Sequence, residues 1–201
     1  MDELAATIER DKDHPCIVAW VPMNESFGLA RPLRDGAAAS LINRLHDLTD
    51  RRDGTRPVSS NDGWEHARTD LCTLHDYGTP ADLRHRYATL ASALEPSGRP
   101  RPPYLPGYAY QGEPLMVSEF GGLALQGSGG WGYETTAGAQ HLVDLYRELV
   151  VALMAPGPVE GFCYTQLTDI EQECNGLLTF DRRPKVDAAI LRPITQTVKQ
   201  R

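Results

Sequence analysis

Twice in this chain a short apolar run without polar alternation stops at a glutamate, and no bulk property constrains the fold as tightly. Ile17 to Val21, which leads through Pro22 and Met23 to Asn24, Glu25 and Ser26, is rich in β-branched residues. Its lack of alternation predicts a parallel strand buried on both faces. Leu115, Met116 and Val117 repeat the design before Ser118 and Glu119. A buried parallel strand that ends on a carboxylate delivers the acid to the edge where open α/β sheets and barrels bind ligands. Two such strands predict paired carboxylate chemistry.

Around these strands the pattern alternates. Leu4, Ala5 and Ile8 predict a helix over residues 2–11 that must stop before His14-Pro15. Ala38, Leu41, Ile42, Leu45 and Leu48 predict a second, ending at the charged turn before Gly54. Further strands are predicted at residues 56–60, with polar tip Asn61, Asp62, Gly63 and Trp64, and at residues 71–74, with tip His75, Asp76 and Tyr77. Thr79-Pro80 reads as a helix N-cap and first helical residue, and Leu83, Tyr87, Leu90 and Leu94 continue one apolar face. The proline-rich residues 96–106 predict an exposed excursion, and the glycine-rich residues 121–132 a loop. A long helix carrying Leu142 to Leu153, a last strand at residues 161–165 and a closing helix near Pro193 complete the chain. About five strands alternating with helices predict an α/β domain with a parallel sheet.

At 201 residues and 41% hydrophobic content, one domain with one core is the expectation. The net charge of -7 offers no basic footprint for nucleic acid or an anionic membrane, neither of which is expected as a partner, and a neutral small molecule fits at least as well as any polyanion. The charged start Met1-Asp2-Glu3 does not read as a signal peptide, and a cytoplasmic location is expected. The four cysteines lack metal-ligand spacing; Cys16, Cys72 and Cys163 lie beside or inside apolar strands, where thiols pack as small hydrophobes. No metal site is expected.

His14-Pro15, the strand ending Asn24-Glu25, and Ser118-Glu119-Phe120-Gly121 together resemble the catalytic barrel of glycoside hydrolase family 2, the group of β-galactosidases, β-glucuronidases and β-mannosidases. Residues 161–169, Asn175 to Leu178 and Arg183-Pro184-Lys185 are similar to the closing strand and loop of its bacterial β-galactosidase-like branch. The resemblance implies a partial (β/α)8 TIM barrel whose strands correspond to the fourth to eighth. Residues 1–201 would then be a single C-terminal portion of the catalytic barrel, lacking the first three βα units, since a full barrel needs about 250 residues. It also implies a retaining hydrolase of a β-glycoside that uses no cofactor, with Glu25 as acid/base and Glu119 as nucleophile. Asn24 would hydrogen-bond the sugar 2-hydroxyl, and Tyr77 would donate to the nucleophile, with His75 sharing its face. An unclosed sheet leaves unpaired edges, which predicts cover by an N-terminal half or by self-association. The alternative is a non-catalytic, carbohydrate-binding or vestigial fragment.

Asp62, Trp64, Trp131 and Asp169 lie in loops after strand tips, where acids can bind sugar hydroxyls and indoles can stack on sugar faces. Tyr164 stands where the wider group commonly has a tryptophan supporting the reactive sugar. Trp20, inside a strand, reads as core. Gly127 to Gly132 formally matches a dinucleotide fingerprint but follows a strand already ending in Glu119, and Gly127-Ser128-Gly129 lacks the strand-turn-helix context of a serine elbow.

Overall fold

The computed structural model describes residues 1–29 and 36–197. Its elements are α1 (Asp2–Asp11), α2 (Ala37–Arg52), β1 (Cys72–Asp76), α3 (Pro80–Arg86), α4 (Leu90–Leu94), β2 (Leu115–Phe120), β3 (Leu123–Leu125), β4 (Glu134–Thr136), α5 (Ala139–Leu153), β5 (Val159–Phe162) and α6 (Ala188–Thr195). β1, β2 and β5 form a three-stranded sheet in that order, and β3 pairs with β4. The chain divides into two compact units, Met1–Leu74 with Leu94–Met116, and His75–Ala93 with Val117–Arg201. The chain passes from one to the other inside β1 and β2.

In the first unit α1 packs on α2. Ile8, Trp20 and Val58 form one buried cluster with Leu4 and Ile17 against it, and Ala38, Ala39, Ile42, Ala67 and Leu105 form another. The two strands expected here are reduced to isolated parallel bridges, Trp20↔Val58 and Asn24↔Asp62. Pro22, between the bridging residues, has no N–H to give to a ladder, and the chain at Glu25 and Ser26 turns into left-handed backbone. Nor is the first segment buried on both faces: Trp20 is 8% exposed, Val18 79%. The proline-rich segment is no free excursion either. The carbonyls of Pro102 and Pro103 accept from the N–H groups of Glu65 and His66, and Leu105 is buried. Prolines lose their donors but keep their acceptors, so they can pair one-sidedly.

Trp20 is core, as its place in the apolar run predicted, and its indole Nε1–H donates to Asp53 at 2.8 Å. Thr55 and Arg56 donate to the same carboxylate, at 2.5 and 2.7 Å. The Thr55 hydroxyl foremost, with Trp20 and Arg56 adding to it, holds Asp53 far below the usual carboxylate pKa. A depressed folded-state pKa gives stability that is present above the unfolded value, near 4, and is lost as pH falls below it. Asp53→Asn should therefore lower stability by about 1–3 kcal/mol at pH 7, because buried donors lose their anion. The gap between variant and parent should close as urea unfolding is repeated toward pH 3.

In the second unit α5 packs against α3 and α6 and buries Leu142, Tyr146, Leu149 and Leu153. The helix expected from Pro80 to Leu94 is two: α3, opened by a reciprocal Thr79–Asp82 capping box, and α4. The closing helix runs through Pro193, with Asp187 capping the Ala189 N–H. The glycine-rich run is not wholly loop, since Leu123–Leu125 pairs in parallel with Glu134–Thr136. Among the cysteines, Cys72 is buried and its thiol is pushed up to about 11 by desolvation, whereas Cys16 and Cys163 are exposed, against expectation. Among the described residues, no helix is long and apolar enough to cross a membrane.

Candidate active site

In the second unit, β2 carries Glu119 to its C-terminal end and β1 runs out at Asp76 beside it in the sheet order. Residues two apart on an extended chain point the same way, which brings His75 and Tyr77 to one carboxylate. The Tyr77 hydroxyl donates to Glu119 Oε2 at 2.5 Å, and His75 Nδ1 lies 3.2 Å from the same oxygen. Just beyond β2, Gly121 forms a parallel bridge with Thr165. Burial first, and the bond to Glu119 second, raise the Tyr77 pKa well above its ordinary value, so the phenol keeps its proton and remains a donor. Charge-assisted bonds of this length are strong, and they favour the ionised carboxylate.

Aromatic rings extend from this centre. Tyr133 stacks on Tyr77 with ring centroids 3.4 Å apart, and Trp131 meets Tyr133 edge-on at 5.6 Å. Trp131 is 48% exposed, yet its backbone is clamped, its N–H donating to Gln172 and its carbonyl accepting from Cys174, while the Tyr133 N–H donates to Gly122. A rigid backbone presenting half-exposed rings can stack a ligand ring with little ordering cost. Tyr133 was not among the residues singled out from sequence, though it had a legible signal, an aromatic one step beyond Trp131-Gly132.

Two other expected residues in this unit point elsewhere. Tyr164 is wedged edge-on against Phe120 and Tyr146, accepting from the Leu123 N–H at 2.9 Å and donating to the Asn175 carbonyl at 3.2 Å. It packs toward α5, because neighbours in extended chain face opposite ways. Asp169 is buried against Lys185, 2.6 Å from Nζ, and accepts from the Gly176 N–H. That pair pins the loop to its return strand.

In the first unit Asn24 is exposed and Glu25 half-buried, next to the buried Ser26. Asp62 ties to this turn through its backbone, accepting from the Glu25 N–H and donating to Met23. Trp64 has its ring faced by the Arg101 guanidinium at 5.7 Å, so one stacking surface is already occupied. Asn61 was legible in the sequence only as part of a polar strand tip, and neither Glu65 nor Arg101 beside them was a candidate site residue.

Residues 1–149 match the family model described as glycosyl hydrolases family 2, TIM barrel domain. The chain belongs to that family. Among solved structures, this family 2 chain is similar to a β-D-glucuronidase from Dictyoglomus thermophilum, with TM-score 0.67 and 19% identity over 98% of this chain and 35% of that one. A β-glucuronidase from Bifidobacterium dentium, complexed with coumarin-3-O-glucuronide, gives 0.64 and 20% over 98% and 34%. A family 2 β-galacturonidase from Eisenbergiella tayi gives 0.66 and 14% over 100% and 37%. No curated protein matches the chain. The chain thus spans about a third of these structures' length, and its fold is a partial α/β barrel, unclosed among the described residues.

Proposed function

We propose that residues 1–201 are the C-terminal part of a family 2 catalytic barrel, its fourth to eighth strands, working in a retaining hydrolase of β-linked glycosides. The observation that carries this reading is one oxygen of a strand-end glutamate that accepts from the Tyr77 hydroxyl and lies 3.2 Å from His75 Nδ1. Glu119 is the nucleophile, attacking the anomeric carbon to form a glycosyl-enzyme ester. Glu25 protonates the leaving oxygen and then removes a proton from the water that hydrolyses the ester, as the second carboxyl of a retaining glycosidase does. Asn24 binds the 2-hydroxyl, and Trp131 with Tyr133 stacks a ring of the substrate. Asp62 and Trp64 border the acid/base side, while Tyr164 and Asp169 act through packing. The exposed apolar Val18 and Val21 favour a covering partner, either the preceding half of the barrel or a second copy of the chain.

The reading is tested by trapping. The active assembly incubated with a panel of 2-deoxy-2-fluoro-β-glycosyl fluorides should gain one glycosyl mass on the peptide containing Glu119. A label on another residue, or a first-formed product of inverted anomeric configuration, overturns it. If the chain binds such glycosides but neither it nor any assembly containing it turns them over, the non-catalytic alternative replaces the hydrolase.

A further inference from the structure

Glu25 and Ser26 both lie in left-handed backbone, at φ 52° and 57°, and neither is a glycine. Two consecutive side-chain-bearing residues there are unfavourable on steric grounds and persist only where the surroundings over-determine them. Four hydrogen bonds within the first unit hold the turn. The Ser26 N–H donates to Asn61 Oδ1 at 2.8 Å, and Asn61 Nδ2 donates back to Ser26 Oγ at 2.9 Å and to the Trp64 carbonyl at 2.7 Å. The Ser26 hydroxyl donates to Glu65 Oε2 at 2.6 Å. Ser26, Asn61 and Glu65 are 2%, 0% and 6% exposed, and Glu65 is itself left-handed at φ 52°. Arg101 stands 3.7 Å from the other Glu65 oxygen.

Burying a carboxylate to hold a serine is an expensive way to make a turn, which glycine would make at no steric cost. Glycine, however, would leave the turn free to move. A carboxyl that must donate a proton in one step and accept one in the next, from the same place, needs a support held to a fraction of an ångström. We propose that Ser26, Asn61 and Glu65 are positioning residues that lock the left-handed turn at Glu25 and so fix the direction of its carboxyl. The proposal rests on the reading of Glu25 as acid/base.

Two readouts test it. On the chain itself, Asn61→Ala and Ser26→Ala should drop the heteronuclear NOE of the Glu25 and Ser26 amides to mobile-loop values while α1 and α2 keep theirs; an unchanged turn overturns the clamp. In the active assembly, the same variants should lower kcat/KM by roughly 10–100-fold for alkyl glycosides, which need the acid, and less than about 3-fold for dinitrophenyl glycosides, which do not. Glu65→Ala should behave likewise, and Glu65→Gln, which keeps an acceptor for Ser26, should recover most of the loss. Equal losses on both substrates mean a merely structural role and overturn the proposal. Glu25→Gln is the control: if it shows no leaving-group dependence, the acid/base assignment falls, whatever the clamp variants do to the turn.

Discussion

Glu119→Gln is expected to lower turnover of an aryl β-glycoside by roughly 10^4-fold or more, the scale on which removal of a covalent nucleophile acts. The amide is nearly isosteric, so ground-state affinity should change little, while the Tyr77 hydroxyl loses its anionic acceptor and stability falls by about 1–3 kcal/mol. The loss of turnover should appear in kcat, measured under conditions where urea unfolding shows the variant still folded. Tyr77→Phe separates the nucleophile from its support. It removes the donor 2.5 Å from Oε2 while leaving the ring to stack on Tyr133. A hydrogen bond to a charged group contributes about 1.5–3 kcal/mol, so a loss of roughly 10–100-fold is expected. If Tyr77→Phe cost as much as Glu119→Gln, the phenol would have to take part in the chemistry. If Glu119→Gln kept parental turnover, the assignment of the nucleophile would be wrong.

Gly121→Ala should produce a large loss of stability for one added carbon. Gly121 has φ +85°, and a Cβ there would sit 2.8 Å from Cδ2 of Tyr164 and closer still to Cε2. Tyr164 has nowhere to retreat, because Phe120 and Tyr146 hold it edge-on at 5.6 and 5.2 Å and its hydroxyl is bonded on two sides. A left-handed alanine and an overpacked core together cost about 2–5 kcal/mol, which thermal denaturation should read as a fall on the order of 10 °C. Gly122→Ala is the informative contrast. Its added carbon would meet the Tyr133 ring, but Tyr133 is 49% exposed and can swing outward. It should cost less stability and should instead separate Tyr133 from Tyr77. A Gly121→Ala variant that melts with the parent would show that the Tyr164 wedge is looser than the packing implies.

Part of the candidate site was legible because its residues are bound to local pattern. A glutamate carried at the end of an apolar strand, as Glu119 is, stands out, and the two-residue spacing of His75 and Tyr77 puts them on one face of any extended chain. Tyr164 and Asp169 illustrate the opposite case. Both were expected near the substrate, Asp169 because it follows a strand tip and Tyr164 because the resemblance puts it where a tryptophan commonly supports the reactive sugar. One lies on the helix-facing side, and the other is consumed by Lys185, sixteen residues away in sequence. Facing and long-range pairing depend on where a strand begins its register, and one residue of slip reverses every side chain.

Local pattern therefore marked most of the helices and the apolar strand that carries Glu119, and the resemblance of the motifs pointed to the family to which the chain belongs. Only the tertiary structure decided that the segments at Trp20 and Val58 meet by single bridges, that the glycine-rich run contains a paired strand, and that Asn61 and Glu65 close on Ser26. Backbone periodicity and capping act within a few residues and are written in the sequence. Hydrogen bonds between segments some forty residues apart depend on how the chain closes on itself, and composition and spacing do not encode that closure locally.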